Sequence, residues 1–170
     1  LIIASKICGG TATRQVNSEG DFLSTFHQIQ AEAEISSMLV MKAIPNARHM
    51  ECPIVADKHG NVITLFSCDC NIFRNNKKVV VEAPSTNTLP QTLVEMESAA
   101  IKLVKTAGFV GVGTAEFVYD PKSGRFFFFD FIPQVQIEHS CTEMITQINI
   151  FACLLQIAMG FNLNNIEDIR

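Results

Sequence analysis

The chain has 170 residues and a mass of 18.8 kDa, which excludes a large multidomain machine and predicts one domain, or one domain with a small lobe. Hydrophobic residues make up 48% of the composition and charged residues 18%, so the chain can bury enough apolar surface to fold. Thirteen Lys and Arg residues against seventeen Asp and Glu residues give a formal net charge of −4, which argues against binding to a nucleic-acid backbone.

The N-terminal part is predicted to begin with the end of a strand at residues 1–5, followed by a loop of small residues that contains Gly9 and Gly10. A helix is predicted from Phe22, because apolar residues recur from there at spacings of four, three and four, which fit one helical face. Residues 38–43 form a short apolar run.

Two strands are predicted next. Apolar residues alternate with other residues between Met50 and Ala56, as in a half-buried strand, and a turn at residues 57–61 leads into a second strand at 62–68. Residues 71–78 are polar and are predicted to be irregular before a run of three valines.

The C-terminal half is predicted to contain two helices and a hairpin. One helix begins at Pro90, which suits a first helical position, and Gly108 ends it. Residues 114–119 and 126–132 flank a wide turn and predict the hairpin. A final helix is predicted over residues 142–159, and its apolar part is shorter than the about 20 residues that a membrane span requires.

This order of elements predicts an α+β fold, with a mostly antiparallel sheet and helices packed on one side. The first residue is Leu1 rather than Met, so we expect the sequence to be a piece of a longer polypeptide. We expect neither a membrane span nor a nucleic-acid partner.

The hairpin carries the most informative pair of acidic residues. If Tyr119 pairs with Phe127, Glu116 falls opposite Asp130 and both carboxylates project from the same face. Like charges in such positions destabilise a sheet unless a cation lies between them, and two oxygen ligands suit Mg²⁺. The alternative is a solvated hairpin face with a different register.

Three further segments contain residues that can take part in catalysis or binding, and each can also be explained by structure alone. Alternation from Gln134 places Gln136 and Glu138 on one side, where Glu138 can serve as a general base or belong to a surface pair. Backbone N–H groups of the Gly9-Gly10 loop can hold phosphate, or the loop can be an ordinary turn. The lysine pair that ends at Lys78 can hold a small anion or belong to a solvated loop.

Six cysteines are scattered along the chain without a C-x-x-C pair. Cys68 and Cys70 alone are close enough in sequence to suggest metal or redox chemistry, and a strand would point both side chains to one face. Two sulfurs need two more ligands, however, and none is nearby in sequence. We therefore favour reduced, partly buried thiols in a cytoplasmic protein.

Taken in order, short motifs along the whole chain resemble the ATP-grasp region of biotin carboxylase, and the C-terminal motif is similar to the eukaryotic type of acetyl-CoA carboxylase. The resemblance runs from Leu1 to Arg170. The motifs that carry it include Gly9-Gly10, Arg48-His49-Met50-Glu51, Asp69-Cys70, Glu82-Ala83-Pro84, Gly113-Thr114-Ala115-Glu116, Gln136-Ile137-Glu138-His139, Cys141-Thr142-Glu143-Met144 and Leu155-Gln156-Ile157-Ala158-Met159-Gly160.

The resemblance implies an ATP-grasp fold, with residues 1–43 as the C-terminal part of a small lid subdomain and residues 44–170 as the main subdomain. It implies a ligase that carboxylates biotin with ATP, bicarbonate and Mg²⁺ or Mn²⁺; in acetyl-CoA carboxylase this reaction supplies malonyl-CoA for fatty-acid synthesis. The implied partners are bicarbonate and a biotinylated carrier domain of the same polypeptide, and a homodimer is a candidate assembly.

The resemblance also assigns roles to individual residues. Glu116 and Asp130 hold the metal, in agreement with the hairpin argument. The bicarbonate site corresponds to Lys78, Gln136, Ile137 and Glu138. Its glutamate, Glu138, is the base that deprotonates bicarbonate. The ATP site corresponds to Lys42, Ile44, His49, Gly9 and Gly10.

Several positions depart from the family pattern. Ile3 and Thr11 stand where the family has phosphate-contacting lysines, Ile132 replaces a metal-supporting asparagine, and Gln134 replaces the arginine that stabilises bicarbonate and the biotin enolate. A neutral amide cannot supply the full charge that stabilises a developing anion, so we expect impaired catalysis. The alternatives are an inactive pseudoenzyme that keeps the fold as a structural, nucleotide-binding or interaction module, and an unrelated binding module.

Overall fold

The computed structural model describes residues 2–4, 13–33, 38–74 and 77–169. The chain divides into two compact units, one formed by residues 1–45 with 73–77 and the other by residues 46–72 with 78–170. Gly9 and Gly10, the predicted phosphate-binding loop, and Thr11, which stands in place of a family lysine, lie outside the described residues. The identity of residues 1–43 as part of a lid stays a prediction.

The described part of the first unit contains a three-stranded antiparallel sheet and one helix. The sheet has the order β2-β1-β3, and the helix buries Ile29 completely, as the apolar spacing predicted. The elements are β1 (Ile2–Ala4), β2 (Thr13–Arg14), α1 (Phe22–Ala33) and β3 (Met38–Val40).

The second unit is built on a six-stranded sheet with the order β7-β6-β4-β8-β9, in which β5 pairs with β4 outside this path. The central pair, β4 and β8, is joined by nine antiparallel residue pairs from Arg48↔Tyr119 to Ala56↔Gly111. The strands are β4 (Arg48–Ala56), β5 (Val62–Thr64), β6 (Cys68–Arg74), β7 (Lys77–Glu82), β8 (Gly111–Asp120) and β9 (Arg125–Ile132).

One face of this sheet is covered by α2 (Pro90–Ala107), which ends where Gly108 adopts the left-handed conformation at φ 64°. Pro90 and Gly108 therefore bound the helix as predicted. Alternate residues of β4 and β8 point toward this helix because side chains alternate across a strand. The resulting core contains Met50, Cys52, Ile54, Ala56, Met96, Ala100, Val104, Ala115, Phe117 and Tyr119.

The opposite face carries a second core at one end of the sheet. It forms around α4 (Ile150–Ala158) and the short 3-10 turns that follow, so helices cover part of both faces. Its buried members are Val55, Leu65, Val112, Ile148, Ile150, Cys153, Ile157, Leu163 and Ile166. The antiparallel sheet with packed helices confirms the α+β prediction, whereas the prediction that the helices pack on one side of the sheet is wrong.

The single helix predicted over residues 142–159 is wrong, because the segment forms two helices that meet at an angle of 94°. These are α3 (His139–Thr146) and α4. Gln147 leaves the helical conformation at φ 60°, and the Asn149 side chain accepts a hydrogen bond from the N–H of Ala152 to begin α4. No proline or glycine marks this break in the sequence, so helix-ending signals did not reveal it.

Two other local predictions are corrected. Residues 71–78 are not irregular throughout, since the described parts of this segment belong to β6 and β7. Tyr119 pairs with Phe126 rather than Phe127, and an extra residue in β9, Phe129, opposite the step from Glu116 to Phe117, restores the pairing of Glu116 with Asp130. The expected opposition of the two acids is thus present, although the register that predicted it is not.

Among the described residues, no single helix is long and apolar enough to cross a membrane, whereas the bent pair of α3 and α4 meets the length and composition criteria when taken together.

Candidate active site

The site lies on the sheet face opposite α2, where two buried acids face each other. Glu51 of β4 pairs directly with Glu116 of β8, and the two residues are 1% and 6% exposed. Two carboxylates in this arrangement repel each other and lose hydration, so they need positive charge nearby.

Lys78 supplies one of these positive charges. Its Nζ donates hydrogen bonds to Glu51 and to Oε1 of Glu138, the latter at 2.6 Å, and lies 3.8 Å from Oε1 of Glu116. Burial opposes the charged form, but the bonds to Glu138 and Glu51 outweigh it and raise the pKa of Lys78. Lys78 is therefore an ammonium cation shared by three acids.

His49 supplies the second positive charge. Its Nε2 lies 3.4 Å from Glu116 and 3.6 Å from Glu51, and Phe129 packs edge-on against its ring. Burial alone would lower the pKa of His49, but interaction with Glu116 and Glu51 raises it to about 9. Burial likewise opposes ionisation of Glu51, whereas His49 and Lys78 lower its pKa to about 2.

A pocket opens beside this cluster. It lies between the sheet and the segment that follows β9, and Glu51, Cys68, Gln136, Glu138 and Thr142 are among its lining residues. The Nε2 atom of Gln136 is buried without a hydrogen-bond partner. A buried amide donor that lacks an acceptor is costly, so this atom fits an oxygen atom of a bound anion.

Glu116 and Asp130, the predicted metal ligands, are direct cross-strand partners. Asp130 is exposed, and its Oδ1 accepts a hydrogen bond of 2.7 Å from the N–H of Phe131. Among the described residues, Glu116 groups with His49 and Glu51 as atoms close enough to share an ion, and Asp130 belongs to no such group. The role of this pair as metal ligands stays a prediction.

Four other residues were predicted to belong to the site. Gln134 is exposed in the segment after β9, and Ile137 is 93% exposed. Lys42 is exposed and Ile44 half-buried, and both belong to the first compact unit. Their assignments to bicarbonate and nucleotide stay predictions.

Glu51 is the central residue that the sequence analysis did not single out. It contacts both cations of the cluster and is opposed by a second acid. Glu51 occupies the polar position of the alternation from Met50 to Ala56, where a charged residue is ordinary in a half-buried strand, so no local signal distinguished it.

The five described cysteines, Cys52, Cys68, Cys70, Cys141 and Cys153, are free thiols, as expected. Cys68 and Cys70 both lie on the face of β6 that borders the pocket and are buried. Burial raises the pKa of Cys68 to about 12, and burial together with the Glu51 carboxylate raises that of Cys70. Both are therefore protonated thiols in the absence of a metal.

Comparison with known proteins identifies the fold and family. The family model for the carbamoyl-phosphate synthase L chain, ATP binding domain, matches residues 1–166. The chain belongs to this ATP-binding family. This membership confirms the nucleotide-binding class that the resemblance implied.

Within the family, the chain is most informatively compared with yeast carboxylases. It is 45% identical over all 170 residues to a mitochondrial acetyl-CoA carboxylase of Saccharomyces cerevisiae (strain YJM789), and 42% identical to an acetyl-CoA carboxylase of Saccharomyces cerevisiae (strain ATCC 204508 / S288c). The chain spans 8% of the length of each relative. The resemblance to the biotin carboxylase region of acetyl-CoA carboxylase is thereby confirmed.

Solved structures of biotin carboxylases match this chain closely and confirm the ATP-grasp fold. Biotin carboxylase of Campylobacter jejuni, solved as a β-γ-ATP complex, matches 95% of this chain with a TM-score of 0.90 and 30% identity. The biotin carboxylase domain dimer of Hydrogenobacter thermophilus 2-oxoglutarate carboxylase, solved with MgADP, ADP and bicarbonate, matches 99% with a TM-score of 0.90 and 34% identity. The chain covers 37% and 38% of those two chains.

Proposed function

We propose that this chain forms part of a biotin carboxylase that uses ATP to carboxylate carrier-bound biotin with bicarbonate, as a segment of an acetyl-CoA carboxylase. The observation that carries the proposal is the Lys78 ammonium, which holds the Glu138 and Glu51 carboxylates beside the unpartnered Gln136 amide. A base next to unsatisfied anion donors is the arrangement that bicarbonate activation needs.

In this proposal Glu138 takes a proton from bicarbonate at a carboxylate oxygen and becomes a neutral acid. Lys78 keeps its own proton and orients Glu138 through the 2.6 Å hydrogen bond, so it acts as a fixed positive charge rather than as a base. The Gln136 Nε2 group donates to an oxygen of the anion, which satisfies the buried amide.

The carboxylates at the β8–β9 hairpin fit a hard divalent cation. Glu116 is buried, Asp130 lies directly opposite it, and carboxylate oxygens are the ligands that Mg²⁺ and Mn²⁺ prefer. When bound, such a cation would neutralise charge on phosphate oxygens of ATP. His49 and Lys78 already offset part of the negative charge of this region.

We further propose that turnover is impaired. Gln134 and Ile132 stand where the family carries an arginine and an asparagine, and the loss of one charge-stabilising donor is worth about 10²–10³ in rate. The same replacements favour the second candidate, a pseudoenzyme that binds nucleotide without turnover. A role in malonyl-CoA formation, a homodimer and a cytoplasmic location remain parts of the proposal.

The decisive experiment measures Mg²⁺-ATP binding by calorimetry and then bicarbonate-dependent release of ADP with free biotin. Binding with slow turnover that increases in a Gln134→Arg variant supports the impaired enzyme. Binding with no turnover in either protein supports the pseudoenzyme, and the absence of ATP binding overturns both. Gln91→Arg, on the exposed surface of α2, is the control for adding a positive charge.

A further inference from the structure

The turn that carries Gln136 and Glu138 is not anchored by the apolar side chain at its centre. Ile137 lies between the two polar residues and is 93% exposed, so its side chain contributes almost no packing. Before the turn, Val135 packs against the second core. After the turn, the anchoring contacts are made by His139, the first residue of α3.

His139 closes the turn through its ring. Its Nδ1 lies 2.9 Å from the carbonyl oxygen of Gln136, which also accepts a 3.2 Å hydrogen bond from the backbone N–H of His139. A carbonyl oxygen can only accept, so Nδ1 carries the proton of the side-chain bond. The bond to the turn therefore determines that this ring nitrogen is protonated.

The other side of the same ring faces the corner where α3 meets α4. Its Nε2 lies 3.9 Å from Oε2 of Glu143, and the ring packs edge-on against Phe151 with the centroids 5.0 Å apart. Oε1 of Glu143 accepts a 2.7 Å hydrogen bond from the N–H of Ile150, a core residue that is 2% exposed. The His139 ring thus lies between the turn and a corner that is fixed to the core.

We infer that His139 is a positioning residue for Glu138: it holds the turn against the α3–α4 corner, so that the Glu138 carboxylate meets the Lys78 ammonium. The catalytic meaning of this contact rests on the proposed function, in which Glu138 is the base. Oε1 of Glu138 lies 2.6 Å from Nζ of Lys78, a distance that requires the turn to stay in place. Without the bond to the Gln136 carbonyl, the turn is free to move and the carboxylate loses its fixed position.

The Lys78 ammonium provides a measure of this positioning without any substrate. Its hydrogens exchange slowly with water while carboxylates accept them, and nitrogen NMR of Nζ measures the rate. His139→Phe keeps an aromatic ring beside Phe151 but removes both nitrogens, so hydrogen exchange at Lys78 should become about tenfold faster. His139→Asn keeps an N–H donor bonded to Cγ, as Nδ1 is, and should hold the exchange rate within about twofold of that of the unchanged chain.

His27→Phe, at an exposed position of α1, is the matched control for this replacement and should leave exchange at Lys78 unchanged. In turnover measurements, kcat should fall about tenfold in His139→Phe with the KM for ATP unchanged, because the base moves and the nucleotide site does not. If the unchanged chain has no turnover, the proposed function fails, and the NMR measurements still decide the role of His139.

Three results would overturn the inference. One is a His139 ring in the unchanged chain whose Nδ1 bears no proton in nitrogen NMR spectra, a measurement that needs no variant. The second is hydrogen exchange at Lys78 in the folded His139→Phe chain, checked by circular dichroism, at the rate of His27→Phe. The third is exchange in His139→Asn that is as fast as in His139→Phe, which would show that the donor does not hold the turn.

Discussion

Lys78 and Glu138 are sixty residues apart in sequence and are joined by a 2.6 Å hydrogen bond at the border of the pocket. The bond connects the sheet edge to the segment that follows the β8–β9 hairpin, and the same ammonium reaches the buried Glu51. The positions of Glu138, the proposed base, and of the buried Glu51 thus depend on one lysine.

Replacing this lysine should destabilise the fold. Lys78→Met keeps the length of the side chain but removes the charge that compensates Glu51, which is almost fully buried. We expect a loss on the order of 3 kcal/mol in the free energy of unfolding, measured in urea. Lys102→Met, at an exposed position of α2, is the control, and equal stability of the two variants would contradict this account.

Asp57 should make stability depend on pH in the acid range. Burial opposes its ionisation, but hydrogen bonds from the Asn61 side chain and from the N–H groups of Leu163, Asn61 and His59 lower its pKa to about 2, against an ordinary value of 3.8. The ionised group therefore stabilises the folded chain above pH 3.8, and this contribution is lost as the pH falls from 3.8 toward 2.

Asp57→Asn isolates that contribution. The difference in unfolding free energy between the original chain and the variant should be about 2 kcal/mol near pH 6 and should shrink steadily below pH 4. Urea unfolding at several pH values measures it. A difference that stays constant down to pH 2 would show that the hydrogen bonds do not depend on the charge of Asp57.

Gly113 should not tolerate a side chain. A Cβ atom there would lie 2.8 Å from Cζ of Phe131 and 3.0 Å from the carbonyl oxygen of Ile132, both on the neighbouring strand. Gly113→Ala should cost about 1–3 kcal/mol through overpacking. Gly20→Ala is the control because its nearest neighbour would be 3.9 Å away; a melting temperature unchanged in both variants would refute the close packing.

Asn149 should be required for the separation of α3 from α4. Its Oδ1 accepts a hydrogen bond of 2.8 Å from the N–H of Ala152, and Oε1 of Glu143 accepts another from the N–H of Ile150. Asn149→Ala should lower stability by about 1 kcal/mol through loss of the cap. Asn165→Ala, at an exposed position, serves as the control in the same thermal melts.

The sequence by itself determined the elements whose signals are local. Helix α2 was defined by the proline and the glycine at its two ends, and β4 was defined by its alternation of residues. Two acids on facing strands of a hairpin indicated a charged site. The ordered motifs also determined the family, which comparison confirmed. These signals depend on neighbours within a few residues, so they can be read without coordinates.

Only the tertiary structure decided which charges meet. The bulge beside Glu116, the break at Gln147, the importance of Glu51 and the approach of Cys70 to Glu138 all depend on strands and loops distant in sequence. Burial then changed which charges these side chains can carry, because a carboxylate that is removed from water needs a nearby cation to stay ionised, whereas an exposed one does not. Long-range strand pairing selects those cations, and no local pattern of residues contains that information.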